Sequence, residues 1–194
     1  MHESDLLWWE YCREKYTARF VGGPAVLEVG SLNLNGSIRQ FFTARSYLGI
    51  DWRPGRDVDR VVFAHEFESS ERFDVIASAS MLEHDQYWPL SLRNMVEHLE
   101  ESGALFLTWG SALCEPHCFE AADDGKFHAL PAGRVLDLLR DLGIYVHEFR
   151  YQSKQFPAAK IQAFMGFVSL VGFTAQRYSV GPAHYDLLIP EDRG

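Results

Sequence analysis

Two carboxylates lie at the ends of strand-like segments in the first third of the chain. Glu28 lies inside the apolar run VLEVG, which ends at Gly30, and Asp51 follows the second run, YLGI. In α/β proteins a buried strand that runs into a glycine turn places a ligand at the carboxyl edge of the sheet, and an acid about 20 residues later accepts hydrogen bonds from a ribose diol. The spacing predicts a site for a nucleoside-containing ligand. A solvated turn aspartate in DWRPGRD is the alternative for Asp51.

A histidine between two acids follows another strand-like segment, FDVIAS. His84 lies in the sequence LEHD, where Glu83 and Asp85 could orient its ring or favour its charged form. It is the candidate general base for a reaction that removes a proton from a substrate. The alternative is that it packs or caps locally.

The elements that must position these groups alternate regularly along the chain. Short apolar strands are separated by amphipathic helices through five units, and two further strands follow. This order predicts an α/β fold: a doubly wound, mostly parallel, seven-stranded Rossmann-like sheet with an antiparallel edge strand. The predicted strands are 25–29, 47–50, 57–63, 73–78, 104–108, 144–151 and 184–189, and the helices between them are 37–43, 90–99 and 130–143.

The length and composition favour one domain over residues 1–194. A chain of 194 residues with 47% hydrophobic content can bury one substantial core. We expect a helix within residues 1–24, lying on the sheet or over its ligand edge, and an insertion at 153–182 between the last two strands. If 158–173 is helical, its apolar surface packs on this domain or forms a homo-oligomer contact.

The charge balance and the apolar runs limit the partners. A net charge of -9 and a pI near 5.3 disfavour a nucleic acid as partner. The longest apolar run, residues 161–173, falls short of the ~20 residues that a membrane span needs. The odd set of cysteines and the charged, aromatic amino terminus favour a reducing, cytoplasmic setting.

Two further groups of residues could carry chemistry. The cluster CEPHC, followed by His128, has residues that can bind zinc, but a single cluster is a weak metal signature, and we expect no metal. Its histidines are then substrate-loop or solvated residues. Several aromatic residues could line an acceptor pocket or belong to the core: Trp8, Trp9, Tyr11, Trp88 and Trp109.

Over nearly its whole length the chain resembles the class I S-adenosylmethionine-dependent methyltransferases, in particular small single-domain members of the type 11 kind. The motifs that carry the resemblance occur in the family's order: VLEVGS with NGS after it, GID, FDVIASASMLEH and LEESGALFLT. The resemblance implies S-adenosylmethionine as the cofactor and in-line methyl transfer to a small-molecule or glycan-type acceptor.

The resemblance also assigns roles to individual residues. Glu28 matches the acid near the methionine end of the cofactor, Gly30 the glycine that lets the backbone approach it, and Asp51 the ribose acid. The remaining residues expected to bind the cofactor are Ser31, Asn33, Gly36, Trp52, Ala64, His65, Ser80, Met81 and Glu83, with His84 as the catalytic base. The chain departs from the family at Leu32 and Leu34, where glycines often occur, and at Phe63, where many relatives have an aspartate.

Two other functions stay open at this point. A non-catalytic module could keep the fold and the cofactor, and the altered turn and Phe63 favour it. A nicotinamide-dependent oxidoreductase is the weaker alternative because the turn GSLNLNG lacks GxGxxG.

Overall fold

The computed structural model describes residues 3–111, 130–155 and 164–174. They contain a seven-stranded sheet in the order β3-β2-β1-β4-β5-β7-β6. The strands are β1 (Ala25–Val29), β2 (Ser46–Asp51), β3 (Arg60–Val61), β4 (Phe73–Ala79), β5 (Leu99–Gly110), β6 (Tyr145–Gln155) and β7 (Phe164–Phe173). The helices are α1 (Glu3–Lys15), α2 (Thr17–Val21), α3 (Trp88–Glu97) and α4 (Ala132–Asp141), with short 3-10 helices η1 (Ile38–Phe41), η2 (Ala64–Glu66) and η3 (Leu82–His84).

The predicted fold class is confirmed. Strands β1 to β5 pair in parallel, whereas β7 lies between β5 and β6 and is antiparallel to both. The antiparallel pairing therefore falls at one end of the sheet. The extent of the domain, residues 1–194, stays a prediction.

The helix expected at 158–173 is wrong where the structure describes this segment. Residues 164–173 form β7, which pairs with β5 from Ala104↔Phe173 to Gly110↔Phe167. A strand that is covered on both faces has a nearly continuous apolar sequence, and such a run cannot be told from a buried helix by its periodicity. Val168, Leu170 and Val171 are buried in the chain's own sheet, so they offer no surface for the oligomer contact that was one of the two alternatives for this segment. The strand predicted at 184–189 lies outside the described residues.

Helices cover both faces of the sheet. On one face α3 and α4 pack through residues such as Leu92, Met95 and Leu139. On the other face α1 and α2 pack through Trp9, Phe20 and their neighbours. None of the helices in the described ranges is both long and apolar enough to cross a membrane.

The amino-terminal helices cover the part of the sheet beside which the sequence predicts a crossover helix. The crossover from β1 to β2 was expected to be a helix at 37–43, but it holds only the four-residue η1. The face beside it is covered instead by aromatic rings of α1 and α2: Phe20 lies 5.0 Å and Trp9 6.5 Å from the ring centroid of Phe106 on β5. The amino-terminal helix thus lies on the sheet.

A buried ionic cluster fixes α1 to β6. Glu148 of β6 is fully buried and pairs with Lys15, and it also accepts a hydrogen bond of 2.6 Å from the Tyr11 hydroxyl. Arg150 stacks on the Tyr11 ring at 3.9 Å. Burial raises the pKa of Glu148, but the hydrogen bonds from Lys15 and Tyr11 outweigh it, and the net pKa is lowered. The ionised form is therefore the one that the fold stabilises.

We expect Glu148→Ala to lower the free energy of unfolding by about 3 kcal/mol, because it removes the fully buried carboxylate and leaves the partly buried Lys15 without its counter-ion. Denaturant unfolding at pH 7 measures this value. The exposed Glu14→Ala on the same helix is the control, with a change of less than about 0.5 kcal/mol.

The pH dependence of the free energy of unfolding gives a second check on the role of Glu148. A lowered folded-state pKa adds stability above the unfolded-state value of 4.5, and this stability is lost as the pH falls through the folded-state pKa. The difference between the wild type and Glu148→Ala should therefore shrink in acid. An equal difference at pH 7 and pH 3 would contradict the assignment.

Candidate functional site

A cavity of about 310 Å³ opens at the carboxyl ends of β1, β2 and β4 and reaches the segment that follows β3. Parallel strands end at the same edge of the sheet, so residues that are distant in sequence meet there. The wall is formed by Glu28, Val29, Gly30, Ser31, Leu32, Leu34, Asn35, Gly36, Ile38, Ile50, Asp51, Trp52, Arg53, Val62, Phe63, Ala64, Ala79, Ser80, Met81, His84, Asp85, Gln86 and Tyr87.

The turn after β1 depends on glycine at position 30. Gly30 has a φ of 83°, which disfavours any residue with a Cβ atom. A Cβ placed there would lie 2.6 Å from the Cβ and Cγ atoms of Met81. The amides of Gly30 and Ser31 both donate to the Ile50 carbonyl, at 2.9 and 3.0 Å. The turn is thus packed against the end of β2 on one side and the segment after β4 on the other.

Glu28 forms part of the cavity wall and is only 4% exposed. Its Oε2 accepts a hydrogen bond of 2.7 Å from the Tyr47 hydroxyl. Burial raises the pKa of Glu28 to about 7, although the Tyr47 hydrogen bond and the nearby Arg39 oppose this shift. The fold therefore makes this carboxyl a weaker acid than an exposed glutamate.

Two backbone amides hold Asp51 at the cavity wall. Its Oδ2 accepts from the Leu32 amide at 3.2 Å and its Oδ1 from the Arg53 amide at 3.0 Å. Leu32 is one of the two leucines where the sequence departs from the glycine-rich turn. Its backbone ties that turn to the acid on β2, and this contact needs no glycine.

Two parallel aromatic rings form the cavity wall beyond Asp51. Trp52 and Phe63 lie with centroids 6.1 Å apart and an interplanar angle of 4°, and they are 44% and 48% exposed. Exposed aromatic faces of this kind offer a stacking surface to a planar ring. The row continues through His65, 5.7 Å from Phe63, to Tyr87, 4.4 Å from His65.

The segment after β4 closes the site from the other side. Ser80 has a φ of 52°, and its amide donates to the Thr108 carbonyl at 2.8 Å. A left-handed serine costs about 1–3 kcal/mol, and such residues concentrate at functional sites. The Oγ atoms of Ser80 and Ser31 are buried at the wall and have no hydrogen-bond partner among the described residues.

His84 and Glu83 have separate positions, although they are adjacent in sequence. His84 is half-buried and forms part of the cavity wall. Glu83 is fully buried outside that wall, and its Oε1 accepts from the Gly110 amide at 2.9 Å. Glu83 thereby connects η3 to the end of β5.

The cavity brings together ten of the thirteen predicted site residues: Glu28, Gly30, Ser31, Gly36, Asp51, Trp52, Ala64, Ser80, Met81 and His84. Glu83 lies outside the wall, as do Asn33 and His65. Asn33 instead shapes the turn, because its Nδ2 donates to Asp57 at 2.6 Å and its Oδ1 accepts from the Gly36 amide at 2.9 Å. The His65 ring packs between Phe63 and Tyr87.

The sequence interpretation missed Phe63 and Tyr87 as parts of the wall, and it left open whether several other aromatic residues line a pocket or belong to the core. Phe63 was noted only as a departure from an aspartate. Trp8, Trp9 and Trp109 are at most 1% exposed and belong to the core, so they do not form an acceptor pocket. Tyr11 and Trp88 also lie outside the wall. The cluster CEPHC and His128 lie outside the described residues.

Comparison of the sequence with protein-family models and with curated proteins finds no match. Similar solved structures include the N-methyltransferase NodS from Bradyrhizobium japonicum WM9 in complex with S-adenosyl-L-homocysteine. Its TM-score is 0.57 at 18% identity, and the alignment covers 84% of this chain and 83% of that one. Another is the 1,6-didemethyltoxoflavin-N1-methyltransferase from Burkholderia thailandensis with bound 1,6-didemethyltoxoflavin and S-adenosylhomocysteine. Its TM-score is 0.59 at 13% identity, and the alignment covers 85% of this chain and 75% of that one.

A third similar structure, the cyclase SpnF, gives a TM-score of 0.60 at 17% identity, covering 86% of this chain and 79% of that one. At such identities the likeness establishes the fold, which is that of class I S-adenosylmethionine-dependent methyltransferases. The fold that the sequence motifs imply is thereby confirmed.

We expect Gly30→Ala to destabilise the protein more than Gly23→Ala. Both glycines have a positive φ, of 83° and 76°, so each alanine carries a backbone cost of about 1–2 kcal/mol. The Gly30 variant adds the collision with Met81, whereas a Cβ at Gly23 meets nothing within 4 Å. Denaturant unfolding of both variants separates the two costs. Equal losses of free energy would contradict the packing described for the turn.

Proposed function

We propose that this protein is an S-adenosylmethionine-dependent methyltransferase that acts on a small-molecule acceptor. The observation that carries the proposal is the order of chemical groups along the carboxyl edge of the sheet. A buried carboxyl on β1 is followed by an acid at the end of β2 and by exposed aromatic rings beyond it. An elongated ligand with an ammonium group, a ribose and an adenine presents its groups in the same order.

The donors and acceptors of the cavity fit this cofactor. Glu28 is suited to the ammonium group and Asp51 to the ribose diol, while the rings of Trp52 and Phe63 are suited to the adenine. Neighbouring strands lie about 4.8 Å apart, so these sites form a row of suitable length. The buried hydroxyls of Ser31 and Ser80 add two polar contacts at the wall.

When bound, S-adenosylmethionine supplies a methyl group on a sulfonium, which an acceptor takes by in-line displacement. The residues of this chain then have three tasks. Gly30 and Met81 shape the wall between the carboxyl and ribose sites, and Asp51 fixes the orientation of the ligand. His84, also in the wall, is the candidate that removes a proton from a hydroxyl or acid-type acceptor.

The similar structures support the cofactor. NodS and the Burkholderia enzyme both contain S-adenosylhomocysteine, the demethylated product of the cofactor. The Burkholderia enzyme also contains a small-molecule ligand. This favours a small-molecule acceptor for the present chain over the glycan-type acceptor that the sequence left open.

Isothermal titration tests the cofactor directly. We expect S-adenosylhomocysteine and S-adenosylmethionine to bind the purified protein and NAD to bind at least tenfold more weakly. The absence of heat and of a shift in melting temperature with the first two ligands at millimolar concentration would overturn the proposal. A preference for NAD would favour an oxidoreductase instead.

We expect Asp51→Asn to weaken the binding of S-adenosylhomocysteine about 10- to 100-fold. Hydrogen bonds to a charged group contribute about 1.5–3 kcal/mol, and the amide keeps only one oxygen to accept them. The control is Asp137→Asn, which changes an exposed acid on α4, outside the cavity. An unchanged affinity of a folded Asp51→Asn would exclude this carboxylate as the ribose site.

We expect His84→Gln to lower the rate of methyl transfer about 10²- to 10⁴-fold and to leave the affinity for S-adenosylhomocysteine within about threefold. The rate is the formation of S-adenosylhomocysteine with an acceptor found in a panel of hydroxyl, amine and acid compounds. A rate that is unchanged at every pH would show that the acceptor needs no base. Cofactor binding without turnover on any acceptor would favour the non-catalytic module.

A further inference from the structure

The carboxyl of Glu28 is buried in the middle of the sheet. It lies on the interior strand β1, opposite Gly49 of β2 and Ala77 of β4 in the strand register. It is 4% exposed and forms part of the cavity wall. A charge at such a position loses most of its hydration, so an ionised carboxylate is stable only if another group compensates it.

The groups around Glu28 compensate a negative charge on its carboxylate only in part. The Tyr47 hydroxyl of β2 donates to Oε2 at 2.7 Å, which is one neutral hydrogen bond. Arg39 of η1 is the nearby cation, but it pairs with Asp59 and stacks on the Tyr47 ring at 4.5 Å. Asp57 and Asp59, which lie between β2 and β3, act against ionisation of Glu28.

The charged form of Glu28 is therefore compensated only in part. The burial of Glu28 and the two aspartates raise its pKa, the Tyr47 hydroxyl and Arg39 lower it, and the resulting value is about 7. A cation that enters the cavity next to this carboxyl would reverse the balance, because an opposite charge within a few ångströms favours the ionised form.

We propose that binding of a ligand with an ammonium group ionises Glu28 and releases its proton to the solvent, so that the affinity for the cofactor depends on pH. The proposal rests on the function proposed above. The O–H bond of the carboxyl breaks, the electron pair stays on the carboxylate, and the buffer takes up the proton. No other bond changes. The site would thus bind its cofactor more tightly in mildly alkaline than in mildly acidic solution.

The experiment is isothermal titration with S-adenosylhomocysteine in two buffers of different ionisation enthalpy, phosphate and Tris, at matched pH. The difference in heat gives the number of protons released. With a pKa of about 7, release should be about 0.9 proton at pH 6, 0.5 at pH 7 and 0.1 at pH 8. The dissociation constant should fall about tenfold from pH 6 to pH 8.

Two variants assign the proton to Glu28. Glu28→Gln has no proton to release, so the buffers should give equal heats and the tenfold pH dependence should disappear. Tyr47→Phe removes the hydrogen bond that favours the ionised form, so the midpoint of proton release should move to higher pH. Asp137→Asn on α4 should leave both the number of protons and the midpoint unchanged.

A ligand without the ammonium group tests whether the positive charge, and no other part of the cofactor, causes the proton release. 5′-Methylthioadenosine carries the nucleoside and the thioether but lacks the α-ammonium group of the amino acid, and we expect it to bind without proton release. Release of the same number of protons with this ligand would overturn the assignment.

The protein without ligand provides a second readout. An acid whose pKa is raised on folding favours the folded state below its unfolded-state pKa, and this contribution is lost as the pH rises through the folded-state value. The unfolding constant of the wild type, divided by that of Glu28→Gln, should therefore rise about tenfold from pH 6 to pH 8. A constant ratio would overturn the premise that Glu28 holds a proton.

The outcomes distinguish the two proposals. Tight binding without proton release, and with the same pH dependence in Glu28→Gln, would overturn the present inference and leave the proposed function intact. No binding of S-adenosylhomocysteine at any pH would overturn both.

Discussion

The burial of a carboxyl in the interior strand β1 is the constraint on which the site depends. All five residues of β1 are buried, and β2 and β4 pair with it on either side. Glu28 in this strand is therefore shielded from water, and its charge is set by the few groups that the fold brings near it. Those groups are the Tyr47 hydroxyl, the Arg39–Asp59 pair and Asp57. The same carboxyl forms part of the wall of the cavity, so the packing of the core and the chemistry of the site are coupled.

The second constraint is the short crossover between β1 and β2. Only the four-residue η1 lies in it, so no long helix covers this part of the sheet. Helices α1 and α2 cover it instead, and the buried pair of Lys15 and Glu148 fixes α1 on β6. The amino terminus therefore serves the stability of the sheet, and the aromatic residues there belong to the core. The aromatic residues of the cavity come from the segments after β2, β3 and β4.

The sequence predicted the parts of the site that depend on local patterns. Glu28, Gly30 and Asp51 were found because strand, turn and acid follow one another within a single crossover unit. Ser80, Met81 and His84 were predicted in the same way, because they come directly after the strand-like run that forms β4. The rest depends on which side chains face the same space. Phe63 and His65 are two residues apart, yet Phe63 forms part of the wall, whereas His65 packs between Phe63 and Tyr87 and is not part of it. The Asn33 side chain donates a hydrogen bond to Asp57 and is not part of the wall.

The sequence by itself determined the approximate positions of strands β1 to β5, the mostly parallel sheet and the acids at the ends of β1 and β2, because apolar periodicity and glycine turns are local properties. Only the tertiary structure decided that 164–173 is a strand, since an apolar run of this length becomes β7 when β5 and β6 pair with it on both sides. The raised pKa of Glu28 is likewise a consequence of the fold. It depends on burial and on Tyr47, Arg39, Asp57 and Asp59, which are distant in sequence and converge only when the sheet forms.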